Sequence, residues 1–136
     1  MTPFPLTELR TLQASIGAAN AAKGFHDEGD ALRKEVAERP RRAAPAANLR
    51  NYYANKLLLV VSEVVEAHDE LRKGRAIDET YYPKGGFKPE GFPSEIADSI
   101  IRLFDIADEA NIDIAYIIRE KLLYNEYRPY MHGKKF

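Results

Sequence analysis

Two pairs of acids stand at helical spacing in this chain: Glu63-x-x-Glu66 within "SEVVEAHDE" and Glu95-x-x-Asp98 within "SEIADS". Residues three or four apart on a helix share a face. Glu70 extends the first set, and Glu63, Glu66 and Glu70 project in one sector with Leu59, Val60 and Ala67, whereas Asp69 projects elsewhere. These carboxylates therefore lie in or beside an apolar packing stripe. Crowded there, they repel one another and lose hydration, so they need a proton or a cation. Oxygen ligands grouped this way suit a hard divalent ion, magnesium above all, with manganese as its substitute. Plainer alternatives stand beside this one. Long glutamates at a stripe edge snorkel to solvent or pair with Lys56 and Lys73. Glu95 and Asp98, continued by Arg102, Asp105 and Glu109, have the pattern of a solvated helix flank, with Asp98 paired to Arg102 and Glu95 favoured in the first turn by the helix dipole.

A third set carries the opposite charge. Lys121, Asn125 and Arg128 lie four and three residues apart and share a helix face, with Arg128 just past the helix end. Arg forks onto phosphate oxygens, Lys supplies a point charge, and Asn bridges phosphate or sugar. The alternative is a basic flank favoured near a helix C-terminus by the dipole. His132, Lys134 and Lys135 offer further phosphate contacts from a basic tail.

Five helices are expected to position these groups. The first begins at Thr7 as N-cap and ends near Lys23 and Gly24; the second runs through "DEGDALRKEVAE". Pro40 and Pro45 in "RPRRAAPAA" mark an intradomain loop. The third helix spans about Asn48 to Lys73, with Gly74 as its C-terminal cap, and a long Gly/Pro-rich connection follows, a mobile or ordered flap of the kind that is often functional. Ser94 caps the fourth helix, Asn111 turns the chain out of it, and the fifth runs from about Asp113 to Tyr127. No internal repeat, coiled-coil seam or alternating strand is evident. The expected fold is all-α, a helical bundle in a single domain covering residues 1–136.

Composition excludes several classes. With no cysteine among 136 residues, thiol catalysis, zinc-thiolate sites and disulfides are ruled out. Pro3, Pro5 and Glu8 interrupt any signal peptide, and no apolar run is long enough to span a membrane; a cytoplasmic protein is expected. A net charge of -1 argues against a general nucleic-acid binder. No Glu-x-x-His motif supports a di-iron bundle, "YPKGGFKPEG" lacks the Gly-Lys-Ser/Thr of a P-loop, and no Gly-x-Ser-x-Gly elbow is present.

The acid pairs, separated by 28 residues, resemble the Glu-x-x-Glu and Glu-x-x-Asp motifs of the MazG-like nucleotide pyrophosphohydrolases. "GFPSEIADSIIRLFDIA" is similar to that family's second motif helix, "KLLYNEYRPYMHGKKF" to its C-terminal Lys-x-x-x-Asn-x-x-Arg segment, and "NAAKGFHDE" to a helix-one segment. The resemblance implies an all-α bundle whose core is completed by oligomerisation, as a homodimer or homotetramer. It implies an enzyme that hydrolyses nucleoside triphosphates to the monophosphate and pyrophosphate, with Glu63, Glu66, Glu95 and Asp98 as catalytic magnesium ligands. Lys121, Asn125, Arg128 and, from the helix-one segment, Asn20 become substrate contacts. Glu70 is either an outer-shell or metal partner or a plain helix acid, and Phe25, Tyr52 and Tyr53 either stack on a base or pack the core. The competing function is a catalytically inactive helical-bundle interaction protein whose acids form a partner-binding stripe.

Overall fold

A computed structural model describes residues 3–129. It contains five helices: α1 (Leu6–Ala22), α2 (Asp27–Glu38), α3 (Ala43–Arg72), α4 (Phe92–Glu109) and α5 (Ile114–Glu126). The all-α bundle expected from the sequence is what forms, and no strand occurs among the described residues. The most extensive packing is between α3 and α4; α1 lies on α4, α2 on α3, and α5 on α1. Contacts between α3 and α4 run in opposite directions along the two helices, from Lys56 with Glu109 to Glu63 with Arg102, so the pair is antiparallel. No described helix is long and apolar enough to cross a membrane.

The helix ends depart from expectation in three places, each for a local reason. Thr7 lies inside α1, whose cap position is Pro5 and which has no side-chain cap. α3 starts at Ala43, so the connection from α2 shrinks to residues 39–42. Pro45 falls in the first turn of α3, where backbone N–H groups have no intrahelical partner and a proline costs nothing. Ser94 is likewise not a cap: α4 starts at Phe92 behind Gly91, and the Ser94 hydroxyl donates to the Pro89 carbonyl at 2.8 Å. By contrast Asp113 caps α5 by accepting from the Tyr116 N–H, and Gly74 and Asn111 take the left-handed turns expected of them, at φ 77° and 55°. The long connection is ordered at its base, where Tyr81 and Glu90 exchange two backbone hydrogen bonds of 3.0 and 2.8 Å.

The buried apolar set is small: Tyr52, Val60, Ala67, Phe104, Ala107 and Ala115. Leu57, Leu58, Val61, Val64 and Val65 on α3 and Ile100, Ile101 and Leu103 on α4 remain exposed. The accessible surface, 10241 Å² for 15.4 kDa, is well above the roughly 7,200 Å² that area scaling gives a compact monomer of this mass.

Gly29 marks the tightest junction of α2 with the rest. A Cβ there would stand 2.8 Å from Tyr52 Cε1 and run into the Glu109 carboxylate, which Tyr52, Lys56 and Arg33 hold in place. Helix propensity alone favours Gly29→Ala by up to about 1 kcal/mol, whereas overpacking costs about 1–3 kcal/mol. Gly29→Ala is therefore expected to lower the midpoint of urea unfolding, and an unchanged or raised midpoint refutes this account of the junction.

Candidate metal centre

The mouth of the α3–α4 pair gathers three carboxylates. α3 supplies Glu63 and Glu66 from successive turns, and α4 supplies Glu95 from its first turns. Each contributes an oxygen within 4.8 Å of the others. Glu63 and Glu95 are buried and Glu66 is exposed, so the group opens to solvent on one side. The predicted stripe is present, with Val60, Glu63, Ala67 and Glu70 all buried on one face of α3.

Among the described residues one cation reaches this cluster. Arg102 Nε donates to Glu63 Oε1 at 2.7 Å, crossing to α3 instead of pairing with Asp98 as a solvated flank would have it. Glu95 is 2% exposed and its Oε2 has no hydrogen-bond partner. Burial first, then the Glu66 charge, the Glu63 carboxylate beside it and the Asp98 charge push its pKa up to about 7. Asp98 is half-buried; its charge acts on Glu95, but its oxygens are not among those that converge within 4.8 Å.

Beside the acids lies a cleft of about 410 Å³ lined by Glu66, Asp69, Glu70, Arg72, Lys73, Glu90 and Glu95. Its cations are already engaged: Lys73 holds Glu70 at 2.9 Å and Arg72 holds Asp69 at 3.5 Å. Glu70 also accepts from the Tyr81 hydroxyl, and the Lys73 hydrogen bond, opposed by burial and reinforced by Tyr81, lowers its pKa. Glu70 is thus a fixed wall of the cleft. Asp69, expected to project away, lines the cleft too. It lies some 120° around the helix from Glu63 but only about 60° from Glu66.

Farther along the same two helices the pattern reverses. Asp105 and Glu109, read from sequence as a solvated flank, are buried. His26 Nε2 lies 2.7 Å from Asp105 Oδ1, Lys56 bridges Asp105 and Glu109, and Tyr52 donates to Glu109 at 2.7 Å. Arg33 adds donors to Glu109 and to the Tyr53 hydroxyl. Burial works to lower the Lys56 pKa, yet Glu109, Tyr52 and Asp105 together hold it above its ordinary value. His26, Asp105 and Glu109 also have converging oxygens and nitrogen, but Lys56 and Arg33 already neutralise them, so this second cluster is filled. Tyr52 and Tyr53 are bound into it and are not free to stack on a base. The signal for this cluster was the 3–4 spacing from Glu95 through Arg102 and Asp105 to Glu109, which fits a buried seam as well as a wet flank.

The other sequence candidates are not brought to the acids. Lys121, Asn125 and Arg128 are exposed on or just beyond α5, which packs on α1, and no hydrogen bond or ion pair links them to the cluster among the described residues. Lys121 and Arg128 flank the Tyr124 ring at 5.3 and 5.9 Å. Asn20 is half-buried, and its carbonyl accepts from Lys23 and Phe25 at the end of α1. The register of α1, with Gly17 against Asp108, sets it toward the Asp105 end of α4 rather than the Glu95 end. Phe25 is exposed. His132, Lys134 and Lys135 lie outside the described residues. Comparison with protein-family models, curated proteins and solved structures finds no match to this chain.

The raised pKa of Glu95 carries a signed consequence. Its protonated form is favoured in the folded state, so the native protein binds more protons than the unfolded chain between the ordinary value of 4.5 and about 7. Stability without metal must then fall as pH rises through that window. The melting temperature in EDTA is expected to decline from pH 5 to 7.5, and Glu95→Gln should flatten the decline. The same slope in both proteins contradicts the assignment.

Proposed function

We propose that the chain is a magnesium-dependent nucleoside triphosphate pyrophosphohydrolase, releasing nucleoside monophosphate and pyrophosphate. The observation that carries the reading is the pair of unlike carboxylate clusters on one helix pair. The inner one is neutralised by Lys56, Arg33 and Tyr52, while the outer one leaves Glu95 Oε2 buried and unpartnered beside Glu63 and Glu66. A buried carboxylate with no donor costs several kcal/mol unless it takes a proton or a cation, and an all-oxygen set fits magnesium or manganese. The motif resemblance points the same way.

In this reading Glu63, Glu66 and Glu95 hold the metal and Asp98 completes the set from the next turn of α4. A bound magnesium supplies charge neutralisation for the triphosphate and acidifies water for in-line attack at the α-phosphorus. Arg102 aims Glu63 through its 2.7 Å bond. Glu95 releases its proton as the cation arrives. Glu70, fixed by Lys73 and Tyr81, keeps the cleft wall rigid. Water adds to the α-phosphorus, the α–β bridging bond breaks, and pyrophosphate leaves with the bridging oxygen.

Lys121, Asn125 and Arg128 serve as phosphate donors only if they reach the cleft from a neighbouring copy. The exposed apolar residues of α3 and α4 and the excess surface favour a homodimer or homotetramer. Nucleoside triphosphate is the partner in this reading, with no role for nucleic acid, and the compartment is cytoplasmic. In the competing reading, an inactive interaction protein, the same acids bind no metal.

Magnesium separates the two. At millimolar concentration it should raise the melting temperature, with EDTA reversing the shift, because a ligand bound only to the folded state stabilises it by mass action. Glu66→Gln, at an exposed position, should fold normally, lose the shift, and lose turnover by about a hundredfold or more, as expected when a metal ligand is removed. In oxygen-18 water the label should enter the monophosphate. Diphosphate and orthophosphate as products, or no magnesium shift at all, rules the proposal out. Sedimentation at micromolar concentration should give a dimer or tetramer; a strict monomer removes the trans role of Lys121, Asn125 and Arg128.

A further inference from the structure

The connection from α3 to α4 is pinned at both feet beside the cleft. At the first foot Tyr81 donates to Glu70, and Arg75 stacks 3.5 Å over the Tyr81 ring while pairing with Glu79. At the second, Glu90 lines the cleft and exchanges two backbone hydrogen bonds with Tyr81. Gly91, at φ 116°, allows the Glu79 carbonyl to approach where any Cβ would collide. Between the feet runs an eight-residue excursion, 82–89, turned by the Gly86 N–H bonding to the Pro83 carbonyl at 2.8 Å.

The tip of this excursion is the reverse of its base. Phe87 is 97% exposed and Tyr82 is 62% exposed. Lys84 has no ion-pair partner among the described residues, and Lys88 reaches Glu90 only at 4.0 Å. Phe87 thus buries almost nothing and adds nothing to the fold, although its loop is held by the two feet. The cleft has the opposite deficit: its lining is entirely charged and offers no ring to a base. Tyr81, at the cleft's edge, is already committed under Arg75, and Tyr52 and Tyr53 are held at the far end of the helix pair by the Glu109 network. Phe87 stands three positions before cleft-lining Glu90, a span of at most about 10 Å, so its ring is within reach of the cleft.

We propose that the 82–89 excursion is a base clamp in which Phe87 stacks on the nucleobase of a triphosphate seated in the acid cleft, while Lys84 offsets the charge of its phosphates. This rests on the nucleotide reading given above. Every base has a π-face, so the clamp favours nucleoside triphosphates as a class over inorganic polyphosphate without choosing among bases. Phe87 is a specificity residue touching substrate, not a group that acts on the reacting atoms.

The test uses the full chain. Phe87→Trp introduces its single tryptophan. Magnesium with a nucleoside triphosphate should quench that fluorescence, and magnesium with inorganic triphosphate should not. Phe87→Ala should raise KM for nucleoside triphosphate by about tenfold, leave kcat within about twofold as a uniform-binding contact does, and leave the melting temperature unchanged. A hydrolysing enzyme with unchanged KM in Phe87→Ala and no base-dependent quenching overturns the clamp alone. If Phe87→Ala instead lowers the sedimentation coefficient with KM unchanged, Phe87 is a subunit contact and the clamp is again overturned. A wild-type protein that neither hydrolyses nucleotide nor responds to magnesium overturns the metal-site reading, and the clamp with it.

Discussion

The interface between α3 and α4 is built around carboxylates rather than aliphatic side chains, and most of the molecule is arranged to neutralise them. Glu95, Arg102, Asp105 and Glu109 repeat at heptad-like spacing along α4 and face Tyr52, Lys56, Glu63 and Glu66 on α3. A buried charge costs several kcal/mol unless it is paired and hydrogen-bonded. α2 exists in its observed place partly for this reason, since it delivers Arg33 to Glu109, and the turn before it delivers His26 to Asp105. Such networks are poor stabilisers compared with packed hydrocarbon, but once every member is satisfied they fix one register of the helices over its neighbours.

The same arrangement limits the hydrophobic core. With the face between α3 and α4 largely polar, the aliphatic residues of both helices turn outward. Val61 and Val65, roughly opposite the Glu63 face, are 54% and 51% exposed. α3 is therefore apolar on one side and charged on the other, and neither side is a conventional monomer surface. The acids of α3 face α4, and its valines form the second surface on which the proposed oligomer would pack. The exposed isoleucines of α4 extend that second surface.

The sequence was legible where a local rule acts alone. α2 has the bounds its pattern suggests, α5 begins beside Asp113 as expected, and Gly74 and Asn111 take positive φ, because each depends on a few adjacent residues. Helical spacing fixes Glu63 and Glu66 on a shared face of α3, and the stripe beside them accounts for the burial of Glu63 but not for exposed Glu66. That Glu95 meets them was implied only by the motif resemblance, because spacing within each helix does not say which faces pack together. Thr7 and Ser94 failed as caps because a neighbouring Pro5 or Gly91 supplied the chain reversal instead. Asp105 and Glu109 were misjudged for a different reason. Acids at 3–4 spacing look the same whether water or Lys56 and Arg33 neutralise them, and those cations come from α3 and α2, 49 and 76 positions away. The placement of Lys121, Asn125 and Arg128 away from the acids is likewise a matter of how α5 packs, which spacing within α5 does not encode.

Position within α4 makes the behaviour of Glu95 informative. It lies in the first turns of the helix, where the backbone N–H groups and the macrodipole stabilise an anion and act to lower a carboxyl pKa. Its pKa is instead raised, to about 7, by burial and by Glu66, Glu63 and Asp98. The local field of the helix is thus overridden by desolvation and by like charge gathered from two helices. Arg102 goes to Glu63, Lys73 to Glu70 and Arg72 to Asp69, so among the described residues each nearby cation is directed to a neighbour and none to Glu95. An acid with a pKa of about 7 carries its proton about half the time at neutral pH, and a cation brought to its side would displace that proton. Asp105 and Glu109 differ in kind, because lysine and arginine neutralise them permanently, which is why the proposed ion site falls at the Glu95 end of the helix pair and not at theirs.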